Sequence, residues 1–204
     1  MAATLKAIAL NCTLKTGGAA SSTELLLSQV MAELARHGAT GEIVRVADLD
    51  IKPGVTSDEG PGDDWPDLRR RVLESDILLV GTPVWLGQAS SVCKRVLERM
   101  DAFLSETDKV GRMVSYGRVA ALVVVGNEDG AHFITAQVYQ ALADVGFTIP
   151  ANAVSYWVGE AMGSVDYKDL KKTPDQVAKA TAMLARNTAH LARLLKDNPY
   201  PGEA

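Results

Sequence analysis

Cysteine is scarce: Cys12 and Cys93 are the only two in 204 residues, far apart and without CxxC spacing. A disulfide framework, a zinc site or an iron-sulfur cluster therefore cannot be built from one chain, and a reducing cytoplasm is the expected setting. No apolar run approaches the ~18 residues a membrane span needs, and the apolar stretch near the N-terminus is too short for a signal peptide. No block of like charges occurs and the net charge is only −4, which argues against a nucleic-acid binder or a charged tail. The densest basic cluster, Arg69-Arg70-Arg71, reads as the solvated face of a helix. Two phosphate signatures are also absent: no GxxxxGK(S/T) for a nucleoside triphosphate and no GxGxxG after a strand for a dinucleotide.

What the chain does have is a composition 47% apolar, enough to bury a substantial core, and the expectation is a single domain over residues 1–204. Apolar runs of strand length alternate with helical patterns, the signature of a parallel, doubly wound α/β sheet. Strands are expected at Leu5 to Leu10, Glu42 to Val46, Ile77 to Val80, Val119 to Val125 and, more weakly, Ala151 to Tyr156. Helices are expected at Thr23 to His37, ended by Gly38, and at Leu68 to Leu73, Ser90 to Phe103 and Phe133 to Val145. A long amphipathic helix over residues 174–196, with Thr173 as N-cap, closes the chain. The connections Asp48 to Asp64 and Leu104 to Gly117 and the poorly patterned Val158 to Thr173 are long, and loops of that length are often functional. The first two are expected to flank a pocket; the third reads as lid, interface or plain surface.

Three strand ends carry the chemistry, because open α/β sheets bind ligands outside the carboxyl ends of their strands, where strand order reverses. At the first, Thr13 and Lys15 follow the strand, Gly17 and Gly18 allow a turn, and Ser21, Ser22 and Thr23 open the helix. Hydroxyls, a lysine and a helix N-terminus together make an anion site, although Ser22 or Thr23 also serves as a plain helix cap. At the second, Pro83 ends the strand and Val84, Trp85, Leu86 and Gly87 place bulky apolar residues in a turn. Such a turn needs a planar ligand, a neighbouring loop or a subunit to cover it. At the third, Asn127, Glu128, Asp129 and Gly130 offer polar edges for a heterocycle rim, or simply a turn and cap.

On these motifs the chain resembles the flavodoxin-like NAD(P)H-dependent FMN reductases, a group that includes flavodoxin-type quinone reductases and iron-sulfur flavoproteins. Thr13-Leu14-Lys15 and Ser21-Ser22-Thr23 stand where that family has Ser-x-Arg/Lys and a small polar cluster. Pro83-Val84-Trp85-Leu86-Gly87 stands where it has Pro-Val/Ile-Tyr-Trp/Phe-Gly. The cysteines of the iron-sulfur branch are missing. The resemblance implies a flavodoxin-like three-layer sandwich with a five-stranded parallel sheet of order 2-1-3-4-5, and FMN as cofactor. It places the phosphate on the first loop and the flavin ring between the second and third.

It further implies an oxidoreductase passing electrons from NADPH or NADH through FMN to a small acceptor such as a quinone, flavin, nitro compound or metal ion. No catalytic side chain and no metal ligand is nominated; His132, near the third loop, reads as a solvated helix-start residue, and Cys12 and Cys93 as buried small hydrophobes. Arg112 and Arg118 are candidates for a donor 2′-phosphate. The resemblance implies a homodimer or homotetramer, with Trp157, Met162 and the segment around them as a candidate surface, and neither nucleic acid nor membrane as partner. A flavodoxin-type electron carrier shares the fold but is more acidic; a flavodoxin-fold binding or regulatory protein without FMN is the third reading.

Overall fold

The computed structural model describes residues 4–161 and 163–202; Met162 lies outside the described residues. Strands β1 (Leu5–Asn11), β3 (Ile77–Trp85) and β5 (Val119–Gly126) are almost wholly buried, as strands covered on both faces must be. With β2 (Ala39–Arg45) and β6 (Val154–Val158) they form a parallel sheet in the order β2-β1-β3-β5-β6. A two-residue antiparallel strand, β4 (Gln88–Ala89), pairs only with the end of β3. Counting the parallel strands alone, this is the expected 2-1-3-4-5 order of a flavodoxin-like sheet.

Helices α1 (Ser22–Arg36) and α5 (Asp175–Asp197) cover one face of the sheet; α2 (Trp65–Leu73), α3 (Ser91–Met100) and α4 (Ala131–Asp144) cover the other. The two-residue strand period divides the core between them. Along β1, Ala7 and Ala9 pack with Leu26, Leu34 and Leu184, whereas Ile8 and Leu10 pack with Leu68, Val96 and Val138. The chain winds one way from β1 to β2 and the other way from β3 onward, so the switch point lies between the carboxyl ends of β1 and β3.

Several boundaries differ from expectation for identifiable reasons. β2 begins at Ala39, directly after Gly38 at φ 72° closes α1; as an edge strand it exposes Thr40, Gly41 and Glu42, which hides its apolar signal. β6 starts at Val154 because Ala151 and Asn152 form a turn, Asn152 with φ 55°. Pro83 does not end β3: it pairs with Val125 inside the parallel ladder, and the strand runs on to Trp85. Thr173 does not cap α5. Its N-cap is Pro174, and the Thr173 hydroxyl accepts from Gln29 Nε2 at 3.0 Å instead. Nor is the arginine cluster simply solvated: Arg69 pairs with Glu106, Arg70 with Asp67 and Glu74, and Arg71 with Glu42.

Candidate functional site

The floor of the site is set by buried polar residues at the switch point. Ser90, the N-cap of α3, donates from Oγ to the Cys12 carbonyl at 2.6 Å, and its own N–H donates to Thr82 Oγ1 at 3.0 Å. One residue thus ties the ends of β1 and β3 to the start of α3. Beneath lie Cys12 and Cys93; the Cys93 thiol beside it, together with burial, pushes the Cys12 thiol well above its ordinary pKa. Both are buried, as small hydrophobes are.

Above this floor a cavity of about 380 Å³ opens between the strand ends, a volume typical of small-molecule sites. The first loop lines it with Thr13, Leu14, Lys15, Ser21, Ser22 and Thr23. The α1 cap is Ser21, whose Oγ accepts from the Glu24 N–H at 3.2 Å, so Ser22 and Thr23 are the first helical residues and their N–H groups have no acceptor in a preceding turn. Thr13 Oγ1 accepts from the Lys15 N–H at 3.3 Å, and Ser22 Oγ accepts from the Lys168 N–H at 3.2 Å. Among the described residues none of the four hydroxyls donates to a protein acceptor, although Thr13, Ser21 and Thr23 are buried. Lys15 reaches only the Ala20 carbonyl, at 3.1 Å. This end of the cavity therefore presents unspent donors, a positive charge and a helix N-terminus, an arrangement suited to an anion.

The other end is apolar and aromatic. Pro83, Val84 and Trp85 from β3, Val125 and Gly126 from β5, and Trp157 from β6 line it. Beyond Trp85 the chain turns through Leu86 and Gly87, both at positive φ (52° and 73°), into β4; this is a tight two-residue hairpin. A leucine in that conformation is costly, and the turn is held by the Leu86 N–H donating to Glu128 Oε1 at 2.8 Å. The third loop also packs backbone to backbone on the hairpin: a Cβ at Gly130, where φ is 140°, would lie 2.9 Å from Gly87. Asn127 and Glu128 line the cavity, whereas Leu86, Gly87, Asp129 and Gly130 do not. Leu86, 91% exposed, points its side chain to solvent, and the other three shape the loops rather than the wall.

The remaining wall comes from the segment after β6. Gly163, Asp166 and Tyr167 line the cavity, and Asn127 Nδ2 holds them by donating to the Gly163 carbonyl at 3.2 Å and Asp166 Oδ1 at 3.4 Å. Tyr167 packs on Trp157 with ring centroids 5.5 Å apart and donates from its hydroxyl to Gln29 Oε1 at 2.6 Å. The sequence assigned neither Tyr167 nor Val125 to a site. Tyr167 sits in a stretch without periodicity, and Val125 looks like any other residue of a buried strand.

Other expected neighbours lie elsewhere. His132 is exposed and stacks edge-on against Tyr156 at 5.3 Å, away from the cavity wall. Arg112 and Arg118 are at the opposite end of the sheet, where Arg112 pairs with Asp108 and Arg118 donates to the Leu73, Val114 and Tyr116 carbonyls. They cannot serve a ligand at the strand ends. The 104–117 connection supplies no wall residue, and 48–64 touches the first loop through a bond from the Gly17 N–H to Asp48 Oδ1 at 2.8 Å. No cluster of three or more metal-ligating side chains occurs among the described residues, and among them no helix is long and apolar enough to cross a membrane.

Comparison with known proteins follows the same outline. The family model described as NADPH-dependent FMN reductase matches residues 5–163. Over 96% of its length the chain is 32% identical to 8-demethyl-8-aminoriboflavin-5′-phosphate synthase of Streptomyces davaonensis, covering 80% of that protein. It is 35% identical to a protein of Mycobacterium bovis named divalent metal cation transporter MntH, over 94% of this chain but only 29% of that one. The chain thus spans under a third of that relative's length. Among solved structures, RosB with bound 8-demethyl-8-formylriboflavin-5′-phosphate superposes with a TM-score of 0.87 at 32% identity, covering 96% of this chain and 82% of RosB.

Proposed function

The chain belongs to the NADPH-dependent FMN reductase family, and on that premise we propose that it binds FMN in the switch-point cavity and moves electrons from a nicotinamide donor to a small acceptor. The observation that carries this reading is the match of the cavity's two ends to the two ends of FMN. Unspent donors of Thr13, Ser21, Ser22 and Thr23, with Lys15 and the α1 N-terminus, suit a phosphate monoester; Pro83, Val84, Trp85 and Trp157 suit a flat ring system. Bound FMN supplies two-electron acceptance from the donor and return of electrons singly or in pairs. The protein's own part is positional. Glu128 holds the hairpin tip by the Leu86 N–H, Asn127 holds the Gly163 to Tyr167 wall, and the apolar walls would keep water from a ring held there. Among the described residues no acid or base is needed for this role, and none is assigned.

The test is an anaerobic visible spectrum of FMN-loaded protein before and after NADPH and, separately, NADH. Bleaching of the flavin band is the expected result and identifies the donor. A yellow complex that neither donor bleaches points to an electron carrier, and failure to retain FMN overturns the reading.

A second reading is favoured by the likeness to the Streptomyces davaonensis synthase and to RosB, whose names describe chemistry on a flavin phosphate. In it the flavin is the substrate rather than a resident cofactor. Mass spectrometry of the flavin recovered after incubation separates the two: an unchanged mass supports the reductase, an altered one the flavin-modifying enzyme. The acceptor, which includes quinones, free flavin, nitro compounds and metal ions, is open to the same assay with each supplied in turn. We also propose a homodimer or homotetramer, supported by the exposed Leu86 and Phe133 side chains and tested by light scattering.

A further inference from the structure

Two consecutive residues of the segment after β6 touch both ends of the cavity. The buried Tyr167 ring packs on Trp157 at the aromatic end, and the Lys168 N–H donates to Ser22 Oγ at 3.2 Å at the anion end. Because Ser22 Oγ accepts there, its own proton stays free for another acceptor, and Ser22 lines the cavity. The turn that carries these residues, Tyr167–Asp169, has only local backbone bonds, from the Asp169 N–H to the Asp166 carbonyl at 2.9 Å and from the Leu170 N–H to the Tyr167 carbonyl at 3.3 Å. Such bonds shape the turn without anchoring it to the sheet. An anchor comes from Gln29, two turns along α1 from Ser22 and not itself a wall residue. Its side-chain amide is used at both ends: Oε1 accepts from the Tyr167 hydroxyl at 2.6 Å, and Nε2 donates to Thr173 Oγ1 at 3.0 Å. One side chain thus fastens both ends of the 167–173 stretch to α1. The helix itself is held by the buried Leu26, Leu27, Val30 and Leu34, so it does not depend on the Gln29 amide for its own place.

We infer that Gln29 is a positioning residue for the flavin site: by holding Tyr167 and Thr173 it fixes the Tyr167–Trp157 wall relative to the α1 N-terminus, and through that wall it sets the affinity for a flavin ring. The inference rests on a flavin occupying this cavity and is the same whether the flavin is cofactor or substrate. Gln29 differs from Lys15 in its reach. Lys15 addresses a phosphate directly, whereas Gln29 acts through Tyr167 and therefore bears on the ring with or without a phosphate attached.

Two measurements on the full chain test it: flavin fluorescence titration with FMN and with riboflavin, which lacks the phosphate, and amide hydrogen exchange of the flavin-free protein. Gln29→Met is expected to weaken both flavins roughly tenfold, the worth of one or two hydrogen bonds. In the flavin-free protein it should speed exchange of the Lys168, Asp169 and Leu170 amides roughly tenfold while α1 stays protected. Gln29→Glu should restore both properties, because a carboxylate accepts from the Tyr167 hydroxyl and from the Thr173 hydroxyl, which turns from acceptor to donor. Added to Tyr167→Phe, Gln29→Met should cost little more, since the two side chains act as one contact. Unchanged flavin affinity in Gln29→Met, a loss that Gln29→Glu does not restore, or equal loss of protection along α1 overturns the inference. Wild type that takes up neither flavin, with faster exchange confined to the wall in Gln29→Met, discards the flavin reading and keeps the hold of Gln29 on the cavity. Wild type that binds both flavins with an affinity indifferent to Gln29→Met does the reverse.

Discussion

The first strand-end loop, residues 13–21, and the connection over residues 48–64 lie side by side, both glycine-bearing and polar, yet they treat their hydrogen bonds in opposite ways. In 48–64 the central polar groups are paired within the protein. Asp63 accepts the N–H groups of Glu59 at 2.9 Å, Trp65 at 3.1 Å and Lys52 at 3.3 Å, and pairs with Arg99 at 2.8 Å; both side chains are fully buried. Arg99 in turn donates to the Lys52 carbonyl at 2.9 Å and the Thr56 carbonyl at 3.0 and 3.1 Å. In 13–21 the hydroxyls of Thr13 and Ser21 accept bonds and give none, and Lys15 has a single backbone contact. One segment is a self-satisfied structural loop and the other holds its donors ready for something outside the chain. Polar composition does not distinguish them; the accounting of donors and acceptors does.

The contrast is broken most strongly by Arg99→Met, which leaves the Asp63 carboxylate buried without its countercharge and is expected to cost about 3–5 kcal/mol. Urea unfolding measures it, and a loss under about 1 kcal/mol would mean the pair does not hold the loop. The folded fraction should still retain FMN, since no residue of 48–64 lines that cavity. A pH experiment sharpens the same point. Burial would push the Asp63 carboxyl up, but Arg99 and the three N–H groups overcome it and hold it well below the usual carboxylate range. Stability from a depressed carboxylate is fully present above the unfolded pKa of about 3.9 and is lost as pH falls through the folded value. Wild type should therefore keep this contribution at pH values near 4, and Arg99→Met should begin acid unfolding at a higher pH than wild type.

On the open side of the comparison, Lys15→Met should raise the FMN dissociation constant roughly tenfold to a hundredfold, the worth of a hydrogen bond to a charged group. It should leave the urea midpoint unchanged because Lys15 is exposed; flavin fluorescence titration reads the first quantity, and a midpoint shift without an affinity change would make the loop structural. Gly130→Ala is expected to destabilise by about 1–3 kcal/mol, because φ is 140° and the new Cβ would meet Gly87 at 2.9 Å. Thermal unfolding checks it, and an unchanged midpoint would show that the contact between the second and third loops relaxes freely.

Much of this was legible in residue order. The buried strands β1, β3 and β5 announce themselves as apolar runs between turn signals, and the helix ending at Gly38 carries its own stop. The three strand ends lie side by side because strand order in a doubly wound sheet brings those ends together. Less was legible where partners are distant. The hairpin after Trp85 depends on Glu128, which lies 42 positions away and compensates Leu86 at positive φ. The wall at Tyr167 depends on Gln29, 138 positions away. Pro174 rather than Thr173 stands at the cap of α5, and the Thr173 hydroxyl accepts from Gln29 of another helix.

Patterning along the chain was sufficient for the α/β class and the order of the elements, since hydrophobic periodicity and turn chemistry act over a few residues, and the family came from the resemblance of the strand-end motifs. Which polar groups stay free for a ligand was settled only on folding. Thr13 and Lys15 read like many surface residues until distant segments have paired with everything around them, and a hydrogen bond left unmade is a property of the whole packed molecule.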